Sequence, residues 1–283
     1  MWFGIQLGVS FRVAPIPSSF APMTLHDSYA RFTPYELAFP DQDLLDELIV
    51  GIEEEAKNQD ADLSDPNTFF AMGRVDAFVR EIQGPTALPE TLYQYVTLVF
   101  HAVHFNQAGC PIYLLSENLT RDLVKNHRGG QPIPPESSGY MQLPQHLLWM
   151  SGADSGTPES IDGVFWVLSN RGTLHSLLIA GLRPDRPGFV IVPIPEAPVS
   201  EASSWVQAIV RNGTDDFSSQ LPGGELDQLH ALETSGEVLK LLARFFAYVS
   251  SVPGAVEMVS PNTSDQADPI PSTLPFSRVT QNA

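Results

Sequence analysis

The stretch Gly163-Val-Phe-Trp-Val-Leu-Ser-Asn-Arg-Gly-Thr-Leu-His-Ser-Leu-Leu-Ile179 decides the reading of the fold. Two runs of β-branched, aromatic and leucine side chains flank Asn170-Arg171-Gly172, a turn-forming cluster, and the pattern reads as a β-hairpin. Toward the C terminus, Gly188-Phe-Val-Ile-Val-Pro-Ile194 supplies a third strand. Its Pro193 and the following Pro195 place its end at a sheet edge, because proline donates no ladder hydrogen bond. On the other side, Tyr140-Met-Gln-Leu-Pro144 adds a fourth. These connections are too short for helical crossovers, so the expected sheet is mainly antiparallel.

Upstream the period changes from two to that of a helix. Asp41 is placed to cap a helix carrying Leu44, Leu45, Leu48, Ile49 and Ile52 on one face. A second helix is expected from about Pro66, with Phe69, Phe70, Met72, Val75, Phe78, Val79 and Ile82 as its stripe, stopped by Gly84-Pro85. A third, from about Pro89 to Gln107, is bulky nearly all round and therefore central in its domain. Cys110 opens a short strand or buried connector, Pro111 to Leu115, and Ser116 caps a short helix through Leu123.

Two helices are expected to cover the sheet. One runs from Glu201 to Arg211 behind Ser200, and the other opens at the capping-box pattern Thr234-Ser-Gly-Glu237 and ends at Ser250. The whole is an α+β fold with a helical N-terminal half. Its divisions are an irregular arm over 1–30, a mainly helical region over 31–128 and a Pro/Gly-rich loop over 129–139. An antiparallel sheet with two helices over 140–251 and a disordered tail over 252–283 complete it, and 31–251 is compatible with one domain. Met23 is an alternative start to Met1.

Composition removes several function classes. Fifteen Lys and Arg against 33 Asp and Glu give a net charge of −18, a field that repels a polyanionic backbone, so direct nucleic-acid binding is not expected. The carboxylates concentrate between Glu36 and Asp65, where Glu53, Glu54 and Glu55 stand together and only Lys57 opposes them. This surface would suit a basic protein partner, or a mimic of nucleic acid that occupies a basic protein. Cys110 is the sole cysteine, which excludes an internal disulfide and a multi-thiolate metal cluster and fits a reducing, cytoplasmic setting. The longest apolar stretch, Leu92 to Phe105, is too short and too polar to be a transmembrane segment.

Three groups of residues have chemical potential. His101 and His104, three apart on the third helix, could share a metal or relay a proton, and Cys110 follows closely enough to be activated as a thiolate. Arg121, Lys125 and Arg128, beside His127 and before Gly129-Gly130, could take an anion, although cations at a helix C terminus also complement its dipole. No HExxH, GxSxG, GxxxxGK[ST] or strand-following GxGxxG motif is present. The expected function is therefore a non-catalytic interaction or regulatory protein that needs no cofactor. A metal-dependent or thiol enzyme centred on His101, His104 and Cys110 is the alternative.

Overall fold

The structure, a computed structural model, describes residues 31–84, 89–125, 132–145, 147–151, 158–182, 189–198, 225–260 and 272–281. The helical half comprises α1 (Pro34–Ala38), α2 (Gln42–Gln59), α3 (Pro66–Phe70), α4 (Gly73–Gln83) and α5 (Pro89–Gln107). Each of the first three starts at a side-chain cap. Thr33 and Glu36 form a reciprocal capping box on α1, Asp41 accepts from Leu44 N at the start of α2, and Asp65 accepts from Asn67 N on α3. The single helix expected from Pro66 is thus two, broken at Ala71 and Met72. There Glu55 of α2 reaches across to accept the first free amides of α4, Gly73 N at 2.9 Å and Arg74 N at 3.0 Å.

The second half begins with β1 (Ile112–Leu115), α6 (Glu117–Lys125), β2 (Ser138–Gln142), β3 (Trp149–Ser151) and the long hairpin β4 (Pro158–Leu168) and β5 (Thr173–Ala180). It continues with β6 (Val190–Pro198), α7 (Glu225–Ser251), β7 (Val256–Val259) and β8 (Phe276–Val279). The strands lie in the order β6-β5-β4-β2-β1-β8-β7, with β3 paired to β4 beside that path. The hairpin, the third strand at the edge and the strand beginning near Tyr140 stand as expected.

The sheet is mainly antiparallel, as expected, with the exception that β1 runs parallel to both β2 and β8, and α6 supplies the crossover that makes the first of these pairings possible. Two expectations need correction. The segment 252–283, expected to be disordered, contributes β7 and β8, because Val256, Val259, Phe276 and Val279 bring enough apolar surface to pair among the surrounding Pro, Ser and Asn. The last helix opens at Glu225 rather than at Thr234: the preceding Glu225-Leu-Asp-Gln-Leu-His-Ala-Leu-Glu233 is rich in strong helix formers, which continue it upstream. The arm over 1–30 and the helix expected over 201–211 lie outside the described residues.

Alternation along the strands sorts the core into two layers. Ile112, Leu114, Tyr140, Phe165, Val167, Leu177 and Ile179 face α1–α5, while Tyr113, Leu115, Met141, Val164, Trp166 and Leu178 face α6 and α7. Gly139 makes this possible at one tight point. A Cβ there would stand 2.4 Å from the ring of Trp166, its cross-strand partner, which is wedged against Tyr113, Phe245 and Phe246.

An ion pair is sealed where β2, β4 and β5 converge. Arg31 Nη1 meets Asp162 Oδ1 at 3.0 Å with both side chains at 3% exposure or less. Arg31 also donates to the carbonyl of Leu143, and Asp162 accepts from the amide of Leu182 at 2.8 Å. Removing one member leaves the other buried without its counter-charge, at a cost of roughly 3–5 kcal/mol. Arg31→Met should therefore lower the urea midpoint by that equivalent, whereas the double variant Arg31→Met/Asp162→Leu should recover most of the loss.

Candidate functional site

α5 is the helix that carries the candidate chemistry, and its surroundings set what that chemistry can be. His101 is 3% exposed, flanked by Phe100 and, across the interlayer, Phe165. Its Nδ1 lies 2.9 Å from the carbonyl of Thr97, one turn back, which fixes Nδ1 as the protonated nitrogen of a neutral ring. His104 repeats the arrangement, with Nδ1 2.8 Å from the carbonyl of Phe100 and its ring against Phe69 and Phe100. Burial disfavours the imidazolium at both positions and pushes the pKa of His101 down to about 3.

A third histidine joins them. His175 of β5 faces the ring of Phe100, and burial lowers its pKa as well, with the Asp65 carboxylate pulling in the opposite sense. Its Nδ1 lies 3.6 Å from Glu196 Oε2 on β6. The sequence offered no reason to connect residue 175 with 101 and 104, since only the packing of the hairpin on α5 brings them together. Among the described residues, no group of three or more His, Cys, Asp or Glu is disposed to hold a metal ion.

Cys110 ends α5 in the left-handed region, φ 57°, after Gly109 at φ 82°, and its amide donates to the carbonyl of Phe105 at 2.8 Å. Burial pushes its thiol up to about 11. Its side-chain partner is Tyr35, and the carboxylates of Glu36 and Asp46 further oppose the thiolate. Tyr35 in turn accepts from Asn106 at 2.8 Å and donates to Gln42. The cysteine and the histidines thus occupy different neighbourhoods of the same helix.

The charged candidates are dispersed among structural tasks. Glu53 accepts from Gln107 at 2.8 Å, Glu55 caps α4, and Glu54 is exposed on α2. The amides of Arg74 and then Gly73 hold the Glu55 carboxyl below its ordinary pKa. Arg121 pairs with Glu117 one turn before it at 2.7 Å, and Lys125 is exposed at the end of α6. The last carbonyls of α6, those of Leu123 and Val124, accept from Arg244 of α7, each at 2.6 Å. Arg128 lies outside the described residues, as do His127 and His146.

A cleft of about 460 Å³ opens where the ends of α2 and α5 meet the hairpin tip. It is lined by Glu53, Asp60, Asp62, Ser64, Gln107 and Asn170, with Ala61 and Leu63, and includes neither α5 histidine nor Cys110. Asp62 is spoken for, accepting from the Ser64 hydroxyl at 2.6 Å and from Asn170 Nδ2 at 2.9 Å, which lowers its pKa. Among the described residues no helix is long and apolar enough to cross a membrane.

No protein-family model and no curated protein matches the chain. A solved structure described as the crystal structure of AcrVA2 is similar at 14% identity with a TM-score of 0.44, over 87% of this chain and 81% of that one.

Two measurements check this site. The neutral histidines are favoured by the fold, so the stability they contribute is complete above the ordinary histidine value near 6.5 and is lost as pH falls toward about 3. Asp162 acts oppositely, because burial raises its carboxyl to about 6 in spite of Arg31, so its contribution weakens as pH rises through about 4 to 6. Three histidines outweigh one carboxyl, and unfolding free energy should rise between about pH 4 and pH 7. His101→Asn, which keeps a donor near Thr97, should reduce that rise by on the order of 2–3 kcal/mol. Separately, Cys110 should react with a disulfide reagent at neutral pH at least about a hundredfold more slowly than a free cysteine.

Proposed function

We propose that this chain is a non-catalytic binding protein whose ligand is another protein with a basic surface. The observation that carries the reading is the setting of His101, the group on which any catalytic account of α5 depends. It is sealed between the helical layer and the sheet, held neutral, and bonded to its own helix. A general acid or base must reach the proton that it moves and needs a pKa near the working pH. The raised thiol of Cys110 supports the same reading, since the thiolate is the nucleophile. What the molecule offers outward is charge, −18 in total, with exposed carboxylates along α2.

The cluster Glu53, Glu54 and Glu55 is proposed as part of the contact with that partner, with Glu53 and Glu54 as its exposed members on α2. Electrostatic complementarity of this kind governs encounter rate and partner choice more than final affinity. Affinity capture from native lysate should recover a stoichiometric protein that dissociates as salt is raised. Recovery of none, together with turnover in an unbiased substrate screen, would overturn the proposal. Within the complex, Glu53→Lys/Glu54→Lys should weaken binding by about tenfold and steepen no melting transition. Glu55→Gln should in addition cost roughly 0.5–1 kcal/mol of stability through the cap on α4.

A further inference from the structure

The two edges of the sheet are built differently. β6, at one end, carries Pro193, Pro195 and Pro198, the residues that blunt an edge against further pairing. β7, at the other, reads Val256-Glu-Met-Val259 and has no proline. Its single charge, Glu257, is 3.1 Å from Arg278 of the neighbouring strand.

The ladder tells which backbone groups β7 leaves open. Thr280 N donates to Ala255 O at 3.2 Å, and the register pairs Val256 with Val279, Glu257 with Arg278, Met258 with Ser277 and Val259 with Phe276. Hydrogen-bonded and non-bonded pairs alternate in an antiparallel ladder. Glu257 and Val259 therefore turn their amides and carbonyls to β8, and Val256 and Met258 turn theirs away from it. Among the described residues nothing meets those outward groups. Apolar surface continues to the rim on both faces, since Val256 packs against the core layer on the α7 side and Val259 against the layer on the other. Met258 is the most exposed large apolar residue described, at 72%.

We infer that β7 is the docking edge for an extended, lysine- or arginine-bearing segment of the protein partner, which adds to the sheet as its next strand. The inference rests on the protein-binding reading above and names its surface. Only extended backbone presents a donor and an acceptor at the spacing of Val256 and Met258. The apolar rim on both faces calls for β-branched side chains in the added strand. The charge of −18 selects basic flanks and works against a second copy of this chain, which would bring the same negative field to the same edge.

The test selects phage-displayed random decapeptides on the full chain at low salt. Enriched sequences should combine β-branched residues with Lys or Arg, and a synthetic copy should slow amide exchange at Val256 and Met258. Met258→Pro removes an outward N–H and spares the bonds that Glu257 and Val259 make to β8, so peptide affinity should fall at least about tenfold with folding retained. Met258→Lys, a change at an exposed side chain, should repel the same peptides and serves if the proline variant does not fold. Equal binding by these variants, protection over 41–65 instead of β7, or no enrichment would overturn the inference. Capture of a stoichiometric partner that survives Met258→Lys would leave the protein-binding reading standing and remove only the edge. Failure to capture any partner would remove both.

Discussion

The structure depends on one constraint: β4 is closed to water on both of its faces. Val164 and Trp166 point to one helical layer and Phe165 and Val167 to the other, each at 1% exposure or less. A strand of this kind cannot stand in a sheet with a wet side, so helices must cover both faces. α1–α5 cover one and α6 with α7 the other. The buried Arg31–Asp162 pair, beside this strand, then has a use beyond its modest net energy. It ties the residues just before α1 to the ends of β2 and β5, fixing where the helical layer enters.

The same closure sets the surroundings of the side chains whose types advertise chemistry. Imidazoles and a thiol are reactive in water or beside a charge partner. Here the imidazoles are packed among phenyl rings with Nδ1 spent on α5's own carbonyls, and the thiol lies beside a phenol and within reach of carboxylates. Acidic side chains are likewise spent locally, as caps on α1, α2, α3 and α4 and as the acceptors that pin the hairpin tip to the loop after α2.

Much of this was legible in the sequence because local signals and tertiary packing agree. Asp41 and Asp65 precede apolar stripes, and Asn170-Arg171-Gly172 separates two strand-like runs. What was hidden is non-local. Ala71 and Met72 give no breaker signal, and the break between α3 and α4 is set by Glu55, eighteen residues upstream of Gly73. The parallel pairing of β1 is invisible without knowing that α6 folds back over the sheet. β7 and β8 are four residues each, shorter than a periodicity argument can resolve against a Pro- and Ser-rich background. His175 reads as one outward residue of a hairpin until α5 is laid across it.

Glu36 illustrates how far apart the cooperating pieces are. It closes the capping box of α1 and also accepts from Ser272 Oγ at 2.8 Å and Thr273 N at 3.0 Å, just ahead of β8. β8 itself slots between β1 and β7, so a strand made early acquires its second neighbour only when residues 276–279 arrive. Chains emerge from the ribosome N terminus first, and long-range pairings of this kind close slowly. During synthesis the growing chain must carry β1 with one edge open, its backbone groups on that side awaiting β8, and an unpaired edge of this kind is a template for pairing with another chain.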